Sequence, residues 1–343
     1  MAIVRLSDIF VPDVFNPYVS VNTTEKSALY QTGVISPNAD MQGKLGGGGR
    51  IFQTPFWKDL DNDEAVIVTD DPEDEIVPKK LTTAKHQFVR QIRAQSWSTA
   101  DLVKYLAGAD PMLRIGERVS AYWGRQIDRT GIATIKGIIA DNVANDSGDM
   151  VNDVTGDSGT VTDGGVTANA YQIHASAVID ACYTMGDNAE GLKMMIMHSV
   201  PYSRLLKQDL ISFVPNSEGK LVIPTYLGKQ VMVSDMCPAD DQGGGNIFYT
   251  TYLCGAGVLG WAESPVDVPS EVERKPSKGN GMGIEILHNR MQYALHPGGF
   301  SWLDASCADD FPTNTELALA ANWNRVFPER KQIQLAVLKT KNG

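Results

Sequence analysis

Nowhere in this sequence do 18 apolar residues follow one another, so no segment reads as a membrane-spanning helix. The N-terminal stretch "MAIVRLSDIFVPDVF" lacks the continuous apolar core of a secretory signal. Basic residues are in short supply: 30 Lys and Arg stand against 41 Asp and Glu, a net charge of −11. A nucleic-acid reader needs cations to replace the counterions on phosphate, and an anionic membrane surface asks for them too. The overall balance argues against both. Cysteine is scarce as well. Cys182, Cys237, Cys254 and Cys307 form no Cys-x-x-Cys pair. They read as free, mostly buried thiols of a reducing compartment, with one disulfide left open that sequence cannot assign. His174 has no Cys, His or Glu recurring at metal-ligand spacing and reads as a satisfied or exposed histidine. Synthesis and use in cytoplasm are expected, and the sequons at Asn22 and Asn145 carry no expectation of glycan.

What is present is a soluble, globular composition on 343 residues, more than one compact core needs, so two or more lobes are expected. Residues 1–45 mix short apolar groups with Pro12, Pro17, Gly33 and Pro37. They read as an extended arm with a short helix near "TTEKSALYQ". "GKLGGGG" then makes a flexible joint. It is not a phosphate loop, which needs Lys-Ser/Thr and a helix after its glycines; here Arg50 and a strand follow.

Residues 51–95 read as a hairpin in which "EAVIVT" is a short strand and "HQFVRQIRAQ" alternates as a half-exposed strand should. Its charges are segregated. Asp59, Asp61, Asp63, Glu64, Asp70, Asp71, Glu73, Asp74 and Glu75 lie on the first limb. Lys79, Lys80, Lys85, Arg90 and Arg93 lie on the second. Limbs this polar are expected to stay ordered only by lying on a neighbour. Asp59, Asp61 and Asp63 imitate the start of a calcium loop, but Glu64 replaces its glycine and Asp70 its closing glutamate.

"STADLVKYLAG" predicts a short helix capped by Ser98 or Thr99 and stopped by Gly108. From Pro111 a longer helix follows, with a stripe through Ile115, Val119, Tyr122, Trp123, Ile127, Ile135, Ile138 and Ile139. Over residues 111–140 it spans about 45 Å, so it crosses a subunit rather than sitting inside one lobe. Gly116, Gly124, Gly131 and Gly137 weaken it and imply close packing against other backbone, or a bend. Residues 145–167 lack Lys, Arg and aromatics and read as a long loop. Alternating strands and helices then predict one compact α+β lobe over about 168–265, with a helix stopping at Gly186 and two strands parted by "YLGK". "GIEILHNRMQYALHP" is a returning strand, so the "GNGMG" before it is no dinucleotide loop. Thr313 and Glu316 are spaced as a capping box, and "ERKQIQLAVLKTKNG" holds a last strand.

"KMMIMHSVPYSRLLKQ" raises the one catalytic question, because His198 stands beside Ser199. A serine nucleophile needs a glycine-flanked elbow, and Met197 and Val200 offer none. Neighbouring side chains on a strand also face opposite ways. The structural reading is a buried strand, Ser199 as an N-cap, Pro201 in the first helical turn, and Leu205 and Leu206 packing back.

The order of parts, with "RLSDIFVPDVFNPYV", "TTEKSALYQTGVI", "IMHSVPYSRLLKQDLI", "IPTYLGKQVMVSD" and "LHPGGFSW", resembles the major capsid (coat) proteins of tailed phages. That shell fold is shared with encapsulins and herpesvirus capsid floors. The resemblance covers nearly the whole chain. It implies an α+β fold of an N-terminal arm (1–45), an extended loop hairpin (46–95) and a peripheral domain with a long spine helix (96–167). An axial domain (168–265) and peripheral strands with the C-terminal segment (266–343) complete it. It further implies pentamers and hexamers closing into an icosahedral shell around double-stranded DNA, without sequence-specific binding. Portal and scaffold proteins are the other partners, with a decoration protein left open; no cofactor, metal or membrane is involved. The expected place is the virion, after synthesis in the host bacterial cytoplasm. The intersubunit candidates are Asp70, Asp71, Glu73, Asp74, Glu75, Lys79, Lys80, Lys85, Arg90 and Arg93. The start at "MAIVRL" is expected to leave no room for a long scaffolding segment before the arm. The alternatives are an encapsulin-like shell with enzyme cargo and a serine hydrolase using Ser199.

Overall fold

A computed structural model describes residues 27–58, 60, 63–71, 73–107, 111–163, 165–208, 210–215 and 221–342. Most of the expected arm lies outside these residues, as do Asp59 and Asp61 of the calcium-like run and the Gly108 stop.

The long helix runs from Pro111 to Asn145, 35 residues, or about 52 Å. Val119, Trp123, Ile127, Ile135 and Ile138 are buried along one face, as the periodicity requires. Two of its glycines are sites of close approach. A Cβ at Gly131 would stand 2.8 Å from Leu29 Cδ1, and one at Gly137 would overlap the Leu317 carbonyl oxygen and the Trp323 indole. Trp323 Nε1 donates to that same Leu317 oxygen at 2.7 Å, so the C-terminal segment sits directly on the helix.

The helix packs on a five-stranded sheet organised by the 14-residue strand Ile284–Pro297. Gln91–Ala100 pairs with residues 284–293 of that strand. Along its other edge lie Ser270–Lys275, opposite 284–289, and Leu259–Ser264, opposite 292–297. Ile35–Pro37 adds in parallel to Leu259–Ser264. Ser98 and Thr99 pair with Ile286 and Glu285 in this sheet, so they do not cap the short helix Asp101–Ala107 as expected.

A second sheet forms the lobe. Its order is Val151–Asp153, Leu335–Lys341, Ile247–Cys254, Met194–Met197, Lys229–Val233, Leu221–Tyr226 and Ser212–Pro215, with Ala239–Asp241 on the flank of Ile247–Cys254. Met194–Met197 is buried on both faces, which is why it reads as an unbroken apolar run. The helix Ala175–Tyr183 buries Ala177, Val178, Ala181 and Cys182 against this lobe's core. Leu227 (φ 49°) and Gly228 (φ 74°) form the tight turn of "YLGK", with Tyr226 opposite Lys229. Sequence placed the lobe at about 168–265; its sheet also recruits Val151–Asp153 and the C-terminal strand, and Leu259–Ser264 leaves it for the five-stranded sheet. Cys182, Cys237, Cys254 and Cys307 are free thiols, the first three buried.

Ala28–Gln31 is helical, within the stretch where a short helix is expected, and the arm also ends in an unexpected second helix, Ala39–Leu45, capped by the Asn38 side chain. That helix absorbs Gly43, Lys44 and Leu45, so the expected joint shrinks to Gly46–Gly49. The hairpin pairs Ile51–Trp57 with Thr83–Val89. "EAVIVT" is not a strand: it pairs with no strand among the described residues, and Val66, Ile67 and Val68 are exposed.

Candidate assembly surfaces

The hairpin has a buried root and an exposed tip, and the two obey different chemistry. At the root, Phe52 stacks on buried Phe88 with ring centroids 5.2 Å apart. Phe56 stacks on His86 at 4.3 Å and meets Phe327 edge-on at 5.4 Å. His86 Nδ1 lies 3.2 Å from the Phe300 carbonyl oxygen, and His296 Nε2 lies 2.8 Å from the same atom. Gln87 N donates to Ser301 Oγ at 3.1 Å. The expectation that the limbs bury little within their own subunit therefore fails at the root, where aromatic packing fastens them to the strand Phe300–Trp302.

Burial disfavours charge on both histidines. It lowers the pKa of His86, and it pushes His296 down to about 3 with a smaller contribution from the neighbouring His86. Both rings are then neutral at neutral pH, each donating its single N–H to Phe300.

Arginines brace the glycine joint. Arg90 donates to the carbonyl oxygens of Leu45, at 2.9 Å, and Gly47, and its guanidinium lies 5.1 Å from the Phe52 ring centroid. Arg50 pairs with Asp304. Arg93 donates to the Pro312 oxygen at 2.7 Å and to Asn314 Oδ1 at 3.2 Å. Of the ten candidate intersubunit residues, Arg90 and Arg93 thus spend their hydrogen bonds inside the subunit. Lys85 sits on the paired strand and reaches Gln53 Oε1 at 3.2 Å.

The other seven occupy the excursion between the strands, which has no regular secondary structure in its described residues. Asp70, Asp71, Glu73, Asp74, Glu75, Lys79 and Lys80 are all exposed. Local bonds shape the tip: Glu73 N donates to Asp71 Oδ1 at 3.0 Å, and Thr69 Oγ1 to Asp74 Oδ2 at 2.5 Å. Lys79 pairs with Asp63, whose carboxyl its hydrogen bond holds below the usual range. Beside these charges the tip exposes an apolar content that the strand expected at "EAVIVT" does not provide for. Val66, Ile67, Val68, Ile76 and Val77 are 67–94% exposed. An unbroken strand pattern hid them, because a strand would have buried alternate members.

At the other candidate site, the helix Ser199–Lys207 is capped by His198, not by Ser199. His198 Nδ1 accepts from Val200 N at 3.3 Å. Ser199 Oγ lies 3.4 Å from that same nitrogen, and His198 Nε2 lies 3.7 Å from Asp235 Oδ1. The three residues have the composition of a catalytic triad but not its geometry. The nitrogen that would take the serine proton is engaged by a backbone amide, and the carboxylate is beyond hydrogen-bond reach of the imidazole. Asp235 instead accepts from Ser199, which holds its carboxyl below the usual range. Leu205 is buried as expected; Leu206 is 42% exposed. Among the described residues, no group of three or more His, Cys, Asp or Glu side chains is placed to hold a metal ion.

The arm is held to the long helix by a buried carboxylate. Asp128 accepts from Ser27 Oγ at 2.7 Å, Leu29 N at 3.2 Å and Ala28 N at 3.3 Å. Burial raises its pKa, against the pull of these three donors.

The family described as major capsid protein 13-like matches residues 56–334. The major capsid protein of Bacillus phage SPP1 is 37% identical over 334 residues, covering 96% of each chain. Among solved structures, the capsid asymmetric unit of cyanophage Pam1 is similar with a TM-score of 0.56 at 10% identity, over 93% of each chain. At that identity the likeness bears on the fold, which is that of a phage capsid subunit.

Proposed function

The chain belongs to the major capsid protein 13-like family, and we propose that it is the repeating subunit of a phage head. The observation that carries this reading is likeness to the SPP1 major capsid protein over 96% of both chains, on a fold shared with a phage capsid. The chain acts by assembling with copies of itself, as part of the virion shell. Pentamers and hexamers closing into an icosahedral shell around double-stranded DNA are the arrangement we infer. The work of such a protein lies in its surfaces and not in a reaction, which fits a His198 occupied as a helix cap.

We assign the parts as follows. The arm expected at 1–45 reaches adjacent subunits, although its residues 27–45 pack on their own subunit, and the hairpin expected at 46–95 reaches over a neighbour through the excursion between its strands. The long helix and the five-stranded sheet form the peripheral domain. The lobe expected at 168–265, less Leu259–Ser264 and with the two strands its sheet recruits, meets its copies around fivefold and quasi-sixfold axes. Portal, scaffold and decoration proteins are partners of the assembled shell, and synthesis takes place in the host cytoplasm.

Content tests this reading against an enzyme-filled compartment. Particles purified from infected cells should hold nuclease-protected duplex DNA. Particles holding a co-purified enzyme and no DNA would favour the compartment.

A further inference from the structure

The long helix carries a single-signed charge pattern on its outer face. Between Arg114 and Lys136 the exposed described side chains are Arg114, Glu117, Arg118, Arg125, Arg129 and Lys136. At about 100° per residue the five cations fall within an arc of about 60°, along about 33 Å of helix. The one carboxylate, Glu117, is paired with Arg114 at 3.0 Å. Among the described residues, the side chains of Arg118, Arg125, Arg129 and Lys136 make no hydrogen bond or ion pair. This row stands on a chain of net charge −11, so the overall acidity hides it.

We propose that this face is a non-specific duplex-DNA contact, tracking phosphates along about one helical turn of DNA. The inference rests on the capsid reading above, which supplies a packaged duplex. Two observations select a polyanion over a protein partner. Among the described residues from Arg114 to Lys136 no exposed apolar side chain lies among the cations, and exposed Val143 stands beyond their end, whereas a protein interface needs an apolar centre. The acidic excursion of a neighbouring copy, the competing anion, exposes Val66, Ile67, Val68, Ile76 and Val77 and needs an apolar seat, for which Val143 beyond Lys136 is the one large exposed apolar side chain described on this face. The dimensions suit DNA. A turn of duplex is about 34 Å, with one negative charge per about 1.7 Å of axis. Four ungrouped cations on a straight line meet such a charged rod without reading its bases.

The test uses the unassembled full-length chain and a fluorescent duplex of about 30 base pairs, with anisotropy followed across a salt series. Four phosphate contacts predict that binding weakens on the order of 100-fold between about 50 and about 200 mM salt. The variant Arg118→Gln, Arg125→Gln, Arg129→Gln, Lys136→Gln should lose binding at least about tenfold at the low-salt end and lose most of that slope. Replacing the three arginines by lysine should keep both. Circular dichroism confirms that the exposed-face variants are folded. Equal binding by wild type and the glutamine variant overturns the proposal, as does wild-type binding without salt dependence. It is also overturned if the glutamine variant fails to form particles and neutralising the carboxylates of residues 63–75 has the same effect with no change in DNA binding. Particle formation is scored separately by electron microscopy, so failure of the capsid reading is not confused with failure of this contact.

Discussion

His86 and His296 donate to one acceptor, the carbonyl oxygen of Phe300, at 3.2 and 2.8 Å, with their rings 6.2 Å apart and nearly perpendicular. One histidine belongs to the hairpin and the other to the central strand of the five-stranded sheet. The shared oxygen is therefore the point where the hairpin is set against the body.

That arrangement makes stability depend on pH. The folded pKa of His296 is about 3, below its unfolded value of about 6.5. The unfolded chain thus binds the extra proton. Stability is fully present above about pH 6.5 and declines as pH falls toward 3. For His296 alone the loss between pH 6.5 and pH 5 is about 2 kcal/mol, and His86 adds in the same direction. Urea unfolding of the unassembled chain should give a lower midpoint at pH 5 than at pH 7. His296→Gln, which keeps a donor but cannot titrate, should flatten that difference. An unchanged slope in the variant would move the effect elsewhere.

Asp128 predicts how firmly the arm is tied. In Asp128→Ala the Ser27 hydroxyl and two backbone N–H groups lose their acceptor in a buried place. A loss of about 2–3 kcal/mol follows, with faster protease cleavage near Ala28. Cleavage at the wild-type rate would show that other contacts hold the segment.

Alanine replacing glycine should have opposite signs at two helical positions. At Gly43 a Cβ meets nothing within 4 Å, so alanine should stabilise by about 0.5–1 kcal/mol. At Gly137 the added methyl would collide with the Leu317 carbonyl and the Trp323 ring, a loss on the order of 3 kcal/mol that outweighs the propensity gain. Thermal melting of the two variants measures the contrast. Equal shifts would mean that the C-terminal segment is not seated on the long helix.

The exposed hairpin charges are predicted to act between copies. Changing Asp70, Asp71, Glu73, Asp74 and Glu75 to lysine together should reduce particle yield and leave the subunit folded by circular dichroism. Single changes should do little, because an exposed pair is worth at most about 1 kcal/mol. Normal particles from the quintuple variant would remove the acidic tip from the interface.

Periodicity made the long helix legible, since Val119, Trp123 and Ile127 repeat on one face and no other element explains a stripe that long. The buried strand Met194–Met197, the "YLGK" turn and the Thr313–Glu316 capping box were legible for equally local reasons. What sequence hid were pairings over long separations. Nothing local in "LAVLKTK" says that it lies between Val151–Asp153 and Ile247–Cys254. Nothing near Arg90 says that its partners are Leu45 and Gly47. The Ser199 cap was assigned one residue late, because a histidine is a less common cap than a serine and only the geometry reveals which side chain accepts. The cationic row was present in the sequence but averaged away by the net charge.

The central claim is self-assembly, and electron microscopy of the expressed full-length chain, with and without a scaffold protein, tests it most directly. The account predicts closed icosahedral shells built of pentamers and hexamers under at least one of these conditions. A chain that stays strictly monomeric under every assembly condition would contradict it.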